Sequence, residues 1–239
     1  TGSGKTTTIY AILKIINTIE KNITTIEDPV EYRISGANQI QVNTKTNLTF
    51  AAGLRSILRQ DPNVIFVGEI RDDETAEIAI NAALTGHLVL STLHTNDAAT
   101  AVPRLVDMNV EPFLVASTVS IVMAQRLVRK ICLHCRTEST VDIEELTKHF
   151  PIELIKKNWG KKEKYKRFRG TGCRICKLSG YQGRVGLFEV LEVNENIRKL
   201  INQKADADAI ASEAIKDGMK TILMDGFAKV EAGLTTIEE

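Results

Sequence analysis

Thr1-Gly2-Ser3-Gly4-Lys5-Thr6 opens the chain and carries the working half of a phosphate-binding loop. The full pattern is G-x-x-x-x-G-K-[ST], so the first glycine and the strand that leads into it fall outside these residues, and the chain reads as cut inside the loop. Gly2 and Gly4 let the backbone turn its N–H groups toward a phosphate. Lys5 brings positive charge to β and γ oxygens, and Thr6 offers a hydroxyl to Mg2+. Thr7-Thr8-Ile9-Tyr10-Ala11-Ile12-Leu13 starts an amphipathic helix, and a helix N-terminus is itself an anion site. With Ser3 and Thr7, these residues are the candidate binding set for ATP and Mg2+.

Outward from the loop, short apolar strands alternate with helical stretches over the first ~130 residues, which predicts an α/β domain. Ile23-Thr24-Thr25-Ile26 reads as a strand stopped at Glu27-Asp28-Pro29. Leu48 to Gln60 reads as a helix capped by Thr49, with Leu54, Ile57 and Leu58 on one face. Asn63 to Val67 is a near-continuous apolar run, as expected of a strand buried on both faces. Asp73 to Leu84 reads as a helix ended by Gly86. Leu88 to Thr92 is expected to be another buried strand, and Ala98 to Met108 and Phe113 to Arg129 to be helices. From Cys132 to about Gly186 the chain turns polar and lysine-rich, an excursion with little core of its own. Val185 to Val193 reads as a strand, and Thr235-Thr236-Ile237-Glu238 as a capping box opening a helix. The expected divisions are 1–130 for the nucleotide core, 131–186 for a cysteine-bracketed subdomain, and 187–239 for a C-terminal strand and helices belonging to the same domain as the core; both ends read as truncated.

Bulk composition narrows the class. A hydrophobic share of 43% and a charged share of 26% over 239 residues are those of an ordinary globular protein. The net charge of +1 gives no global drive toward nucleic acid. No apolar run approaches the ~20 residues that span a bilayer.

Hydrolysis needs more than a loop: it needs Mg2+ ligands and a group that orients water. Two acidic positions follow strands. Glu69 comes after Val64-Ile65-Phe66-Val67-Gly68, a glycine-glutamate pair where many nucleotide hydrolases carry aspartate, and can hold a Mg2+-bound water or activate the attacking one. Glu27 stands with Asp28 and Glu31 after the earlier strand. In an open parallel sheet, ligands bind beyond the carboxyl ends of the strands, where both sets fall. Within Thr85 to Asn96, His87 and His94 flank the strand; a histidine after it either senses or binds a γ-phosphate or is a satisfied structural residue.

The four cysteines form two Cys-x-x-Cys pairs, Cys132-Leu133-His134-Cys135 and Cys173-Arg174-Ile175-Cys176. Four thiolates at knuckle spacing suit a closed, tetrahedral Zn2+ site, with His134 a bystander between ligands. The basic run Lys156-Lys157, Lys161-Lys162, Lys164, Lys166-Arg167 and Arg169 reads as a solvated face, with a membrane surface or platform protein as the alternative.

Taken together, the blocks resemble the secretion ATPase superfamily that powers type II secretion and type IV pilus assembly. The resemblance rests on Thr1 to Thr8, on Ile26-Glu27-Asp28-Pro29-Val30-Glu31-Tyr32, and on Leu54 to Pro62. It continues through Gly68-Glu69-Ile70-Arg71-Asp72, Thr85 to Asn96, the cysteine pairs and Gly180 to Glu189. It implies a RecA-like P-loop core with a four-cysteine zinc-binding subdomain and a helical C-terminal part. It also implies a ring of six subunits, peripheral to the cytoplasmic face of the inner membrane. Such a motor acts through a membrane platform protein on pilin or pseudopilin subunits, with no nucleic acid partner. By the same resemblance Lys5 and Thr6 bind phosphate and Mg2+, Glu69 and Glu27 serve water and metal, and His94 contacts the γ-phosphate region. Arg71 joins them, while Arg55 and Arg59 either support the site or face solvent. The principal arginine fingers are expected from a domain preceding the loop, so these residues are expected to bind ATP better than they hydrolyse it. Two other readings stay open: a nucleic-acid translocase or regulator with a zinc ribbon, and a nucleotide-dependent scaffold with little turnover.

Overall fold

A computed structural model of the chain describes residues 2–148 and 150–239, so Thr1, the first residue of the loop motif, lies outside the described residues. The elements run α1 (Lys5–Ile16), β1 (Ile23–Glu27), β2 (Ala37–Gln41), α2 (Phe50–Ile57), β3 (Val64–Val67), α3 (Asp73–Leu84), β4 (Leu88–Ser91), α4 (Ala101–Asp107) and α5 (Pro112–Thr118). They continue as β5 (Ile121–Ile131), β6 (Arg136–Asp142), α6 (Ile143–Leu146), α7 (Ile152–Trp159), β7 (Lys164–Gly170) and β8 (Tyr181–Glu192). The last three are α8 (Glu195–Asn202), α9 (Ala207–Lys216) and α10 (Ile222–Glu231). The chain divides into two compact units. One comprises Gly4–Ala124 and Val190–Met219; the other comprises Gln125–Glu189 and Lys220–Glu239, with which Gly2 and Ser3 also group.

The first unit is built on a four-stranded sheet in the order β2-β1-β3-β4, every pair parallel. Parallel neighbours need crossovers: the chain reaches β3 from β1 by way of β2 and α2, and β4 from β3 by way of α3, whereas β1 and β2 are joined by residues 28–36 without a helix. The two central strands, β1 and β3, are buried along their whole length, as the apolar run of β3 required. One core packs β1 and β3 against α2, α3, α4 and α5 and includes Leu191, Val193, Ile197, Ile201, Ile210 and Met219 from the later stretch. On α1, Tyr10 and Leu13 enter a second core with Ile23, Val64 and Phe66. Helix ends follow the expected chemistry: Thr49 accepts from the Ala52 N–H and Asp72 from the Thr75 N–H, each satisfying an otherwise orphaned donor.

Four expectations need correction here. β4 is an end strand among the described residues rather than a buried one, and Leu88 is half exposed. The helix expected over Ala98 to Met108 starts at Ala101, because the Asp97 carboxylate takes the Thr100 N–H and hydroxyl and closes a turn first. The long helix expected over Phe113 to Arg129 ends at Thr118, and β5 follows. Ser117 and Thr118 turn their hydroxyls back onto the Leu114 carbonyl, and the β-branched residues beyond them alternate between exposed and inward positions. The capping box expected over Thr235 to Glu238 is not formed among the described residues. Thr235 and Thr236 are buried, the Thr235 hydroxyl donating to the Arg129 carbonyl and the Thr236 hydroxyl bonded to the Tyr181 phenol.

The second unit corrects a fifth expectation, that the lysine-rich stretch has little core. β6 and β7 pair in antiparallel register from Arg136↔Gly170 to Asp142↔Lys164. One face of that ribbon joins α6 and α7 in a core of Val141, Leu146, Ile155, Trp159 and Tyr165, completed by Phe227 and Val230 of α10. Trp159 meets Phe227 edge-on at 4.7 Å between ring centres, a favoured aromatic geometry. The lysines stay outside, where Lys166 pairs with Glu138 and Arg167 with Glu145, each at 2.8 Å. Much of the positive charge on β7 is therefore neutralised locally. No helix among the described residues is long and apolar enough to cross a membrane.

Candidate nucleotide site

Gly2 and Gly4 both hold positive φ, +86° and +84°, a backbone conformation that the loop needs and that glycine adopts without cost. Lys5 begins α1, so the loop turns directly into a helix N-terminus. The Lys5 ammonium donates to the Leu93 carbonyl at 3.4 Å, just beyond β4. Thr6 is half-buried and Thr7 exposed on the first turn.

Gly68 follows β3, and its N–H donates to the Ile26 carbonyl at 2.7 Å. A Cβ there would stand 3.2 Å from both the Glu27 Cα and the Ile26 carbonyl, so glycine is what lets β3 leave the sheet beside β1. Glu69 comes next, with its side chain 11% exposed. One carboxylate oxygen meets the Arg71 guanidinium at 2.5 Å and the other the His94 Nε2 at 2.7 Å. Burial pushes the carboxyl up, but the hydrogen bonds from His94 and Arg71 outweigh it and hold Glu69 below the usual carboxylate range. The loop carrying His94 is pinned in turn: Ser91 donates to the Val67 carbonyl and Thr92 to the Gly68 carbonyl, both at 2.8 Å, while the Ile70 N–H donates to the Thr92 carbonyl.

Glu27 ends β1, and its neighbour Ile26 is in register with Val67, which places it beside the start of the Gly68-Glu69 segment. It is 2% exposed. Tyr10 donates to one oxygen, and the other takes the Thr25 hydroxyl at 2.5 Å and the Gln39 amide at 3.2 Å. A buried Thr25 two positions before Glu27 on the same strand was the available sequence signal for this cluster; Tyr10 and Gln39 had none.

The remaining candidates separate clearly. His87 sits on the Ala82 carbonyl at 2.9 Å, closing the end of α3. Arg55 pairs at 2.7 Å with Glu74 of α3, both more than half exposed, and Arg59 is exposed. Lys5, Glu69, Arg71 and His94 therefore share one neighbourhood, while His87 and Arg55 have partners elsewhere.

In the second unit the four sulfur atoms of Cys132, Cys135, Cys173 and Cys176 lie within 4.8 Å of one another, a cluster able to hold a metal ion. All four are free thiols. Burial pushes the Cys176 thiol up, yet the N–H groups of Cys173 and Gly180 bring it down to about 6. The cluster is framed by glycines: a Cβ on Gly170 would overlap the Gly180 carbonyl oxygen at 2.0 Å.

A parallel sheet with a phosphate loop opening into α1 and carboxylates beyond the strand ends defines a P-loop nucleotide-binding protein of the α/β class. Within that class, the chain belongs to the family described as Type II/IV secretion system protein, whose sequence model matches residues 1–239. It is 49% identical over its whole length to the type II secretion system ATPase E of Vibrio cholerae, of which it covers 46%. It is also 49% identical to the type IV pilus assembly ATPase PilB of Thermus thermophilus, covering 26% of that protein. Among solved structures, the pilus retraction motor PilT with bound ADP superposes with a TM-score of 0.70 at 31% identity. That alignment covers 99% of this chain and 57% of PilT. The chain thus spans less than half the length of these curated relatives.

Proposed function

We propose that the protein is an ATP-hydrolysing motor that drives pilin or pseudopilin polymerisation in type IV pilus assembly or type II secretion. The observation that carries this reading is a chain of contacts. The Lys5 ammonium rests on the Leu93 carbonyl, and the next residue, His94, holds the carboxylate of Glu69. The phosphate loop and the strand-end acid are thereby joined through a single short segment.

Each residue has a role in this reading. Gly2, Ser3, Gly4 and Thr7 line the loop with backbone donors, and Lys5 leaves its carbonyl contact for the phosphates. Thr6 supplies a hydroxyl to Mg2+. Glu69, kept ionised by Arg71 and His94, is a weak proton acceptor, so it suits orienting a Mg2+-bound or attacking water better than abstracting its proton. His94 and Arg71 face the phosphates as that contact rearranges, and Glu27 supports water and metal from β1. The motor works as a hexamer against an inner-membrane platform protein, on the cytoplasmic face of the membrane. Phosphate release by the full-length protein tests the assignment: Lys5→Ala and Glu69→Gln are each expected to abolish it, and turnover retained in both would overturn it.

The cysteine cluster holds structural Zn2+ in this reading, within a subdomain built on residues 131–186. Zn–S bonds of about 2.3 Å place sulfurs about 3.8 Å apart in a tetrahedron. The pairs Cys173–Cys176, Cys132–Cys173 and Cys135–Cys176 stand at 3.7, 3.9 and 3.9 Å. Disulfides need about 2.05 Å, and all four sulfurs face one centre, so the donor set fits the ion. With four thiolates bound, no position remains for a reacting water, and the ion's contribution is to folding. Elemental analysis of protein purified without chelator is expected to give one zinc per chain.

A further inference from the structure

Tyr10 stands five residues after Lys5 on the helix that the phosphate loop opens, and it is fully buried. Its hydroxyl is used in every direction. It donates to Glu27 and accepts from the Glu31 N–H at 3.3 Å, and it lies 3.4 Å from the Gln39 amide nitrogen, whose two hydrogens it shares with Glu27 and the Tyr32 carbonyl. One phenol oxygen therefore joins three parts of the unit: the loop helix α1, the end of β1 with the segment after it, and β2.

The carboxylate it holds is unusual for a group expected to serve water and metal. One Glu27 oxygen carries two donors, Thr25 and Gln39, which fill its lone pairs; the other carries Tyr10 alone among the described residues. The oxygen with capacity left is the one shared with Tyr10. Its direction is set by α1, whose first residue is the phosphate-binding lysine. Burial, reinforced by the Glu27 hydrogen bond and charge, pushes the Tyr10 phenol well above its ordinary value, so it remains a donor at any working pH.

We propose that Tyr10 is a positioning residue of the nucleotide site. It fixes the Glu27 carboxylate relative to the phosphate loop, so that the helix bearing Lys5 sets where that carboxylate points during hydrolysis. The role rests on the ATPase reading above, and it adds a residue that acts on turnover without touching nucleotide. Packing does not account for the hydroxyl. The ring already fills its place edge-on to Phe66, 6.3 Å between centres, and a phenylalanine keeps that contact.

Tyr10→Phe, Glu27→Gln and the double variant, made in the full-length protein, form the test. Phosphate release and binding of a fluorescent ATP analogue are measured on each. Loss of a hydrogen bond to a charged group predicts a fall in kcat of roughly 10- to 100-fold for Tyr10→Phe. The KM for MgATP and the analogue affinity are expected to stay within about twofold. In the double variant, Tyr10→Phe is expected to add nothing to Glu27→Gln, because the phenol acts through that carboxylate. An active wild type whose Tyr10→Phe variant turns over normally would overturn the role. So would effects that multiply in the double variant, or a loss confined to affinity or to folding as read by the melting temperature. A wild type that binds the analogue but releases no phosphate would instead overturn the hydrolysis reading, and this role with it.

Discussion

Glu69 has an oxygen on each of two basic groups, and that sharing decides what acid does to the protein. Its folded-state value lies below the ordinary 4.5, so in the unfolded chain it binds a proton first as pH falls. The contribution to stability is complete above pH 4.5 and is lost as pH drops through the lowered folded value. Melting temperature followed from about pH 7 to about pH 3 is expected to fall less steeply for Glu69→Gln than for the parent across that acid range. Removal of a single partner reads differently: His94→Ala or Arg71→Ala returns Glu69 toward the ordinary range and moves the acid transition to higher pH. At this scale, sequence reached the residues that announce themselves by position. Glu69 and His94 each follow an apolar strand, where ligands of parallel sheets lie. Tyr10 was hidden because nothing in a helical repeat separates an ordinary core tyrosine from one whose hydroxyl meets a carboxylate from another strand.

Elements were legible where one physical signal ruled. α3 spans Asp73–Leu84, the stretch that its acidic start and closing glycine marked, and Asp72 caps it through the Thr75 N–H and hydroxyl. Asp72→Ala is expected to lower stability by about 1 kcal/mol in denaturant unfolding, the usual worth of such a cap. Where two signals competed, the local one misled. Residues 113–129 carry apolar side chains at both helical and strand spacing, and the outcome turned on hydroxyls at Ser117 and Thr118 and on a partner strand, β8, some sixty positions later. Glycine placement gives a sharper test within the second unit. Gly170→Ala drives a methyl into the Gly180 backbone, which has no flexible end to yield. A loss of about 1–3 kcal/mol is expected, the range for overpacking, together with reduced zinc retention in a chelator competition.

For the molecule as a whole, each unit is assembled from segments far apart in sequence. Phe227 and Val230 complete the core of the unit that holds the cysteines, and Ile197, Ile210 and Met219 complete the core around the parallel sheet. Composition shifts at Cys132 and Gly186 marked the excursion, and residues 187–239 were expected to rejoin the core domain as one block; nothing in composition separates 190–219, which group with the parallel sheet, from 220–239, which group with the cysteines. Removing the metal is expected to act on one unit. After chelation, hydrogen exchange should rise across 125–189 and 220–239 while protection persists in 4–124 and 190–219. The interleaving also bears on how the protein is made. A ribosome delivers residues in order, and domains commonly fold as soon as their last contributing segment emerges. Here neither unit has its full complement until the final fifth of these residues is being synthesised. The nascent sheet, with its apolar helices, must wait for more than sixty intervening residues before Val190–Met219 arrives to cover it. During that interval it is a natural client for chaperones that shield exposed apolar surface, and a premature stop anywhere before Met219 costs the cell both units rather than one.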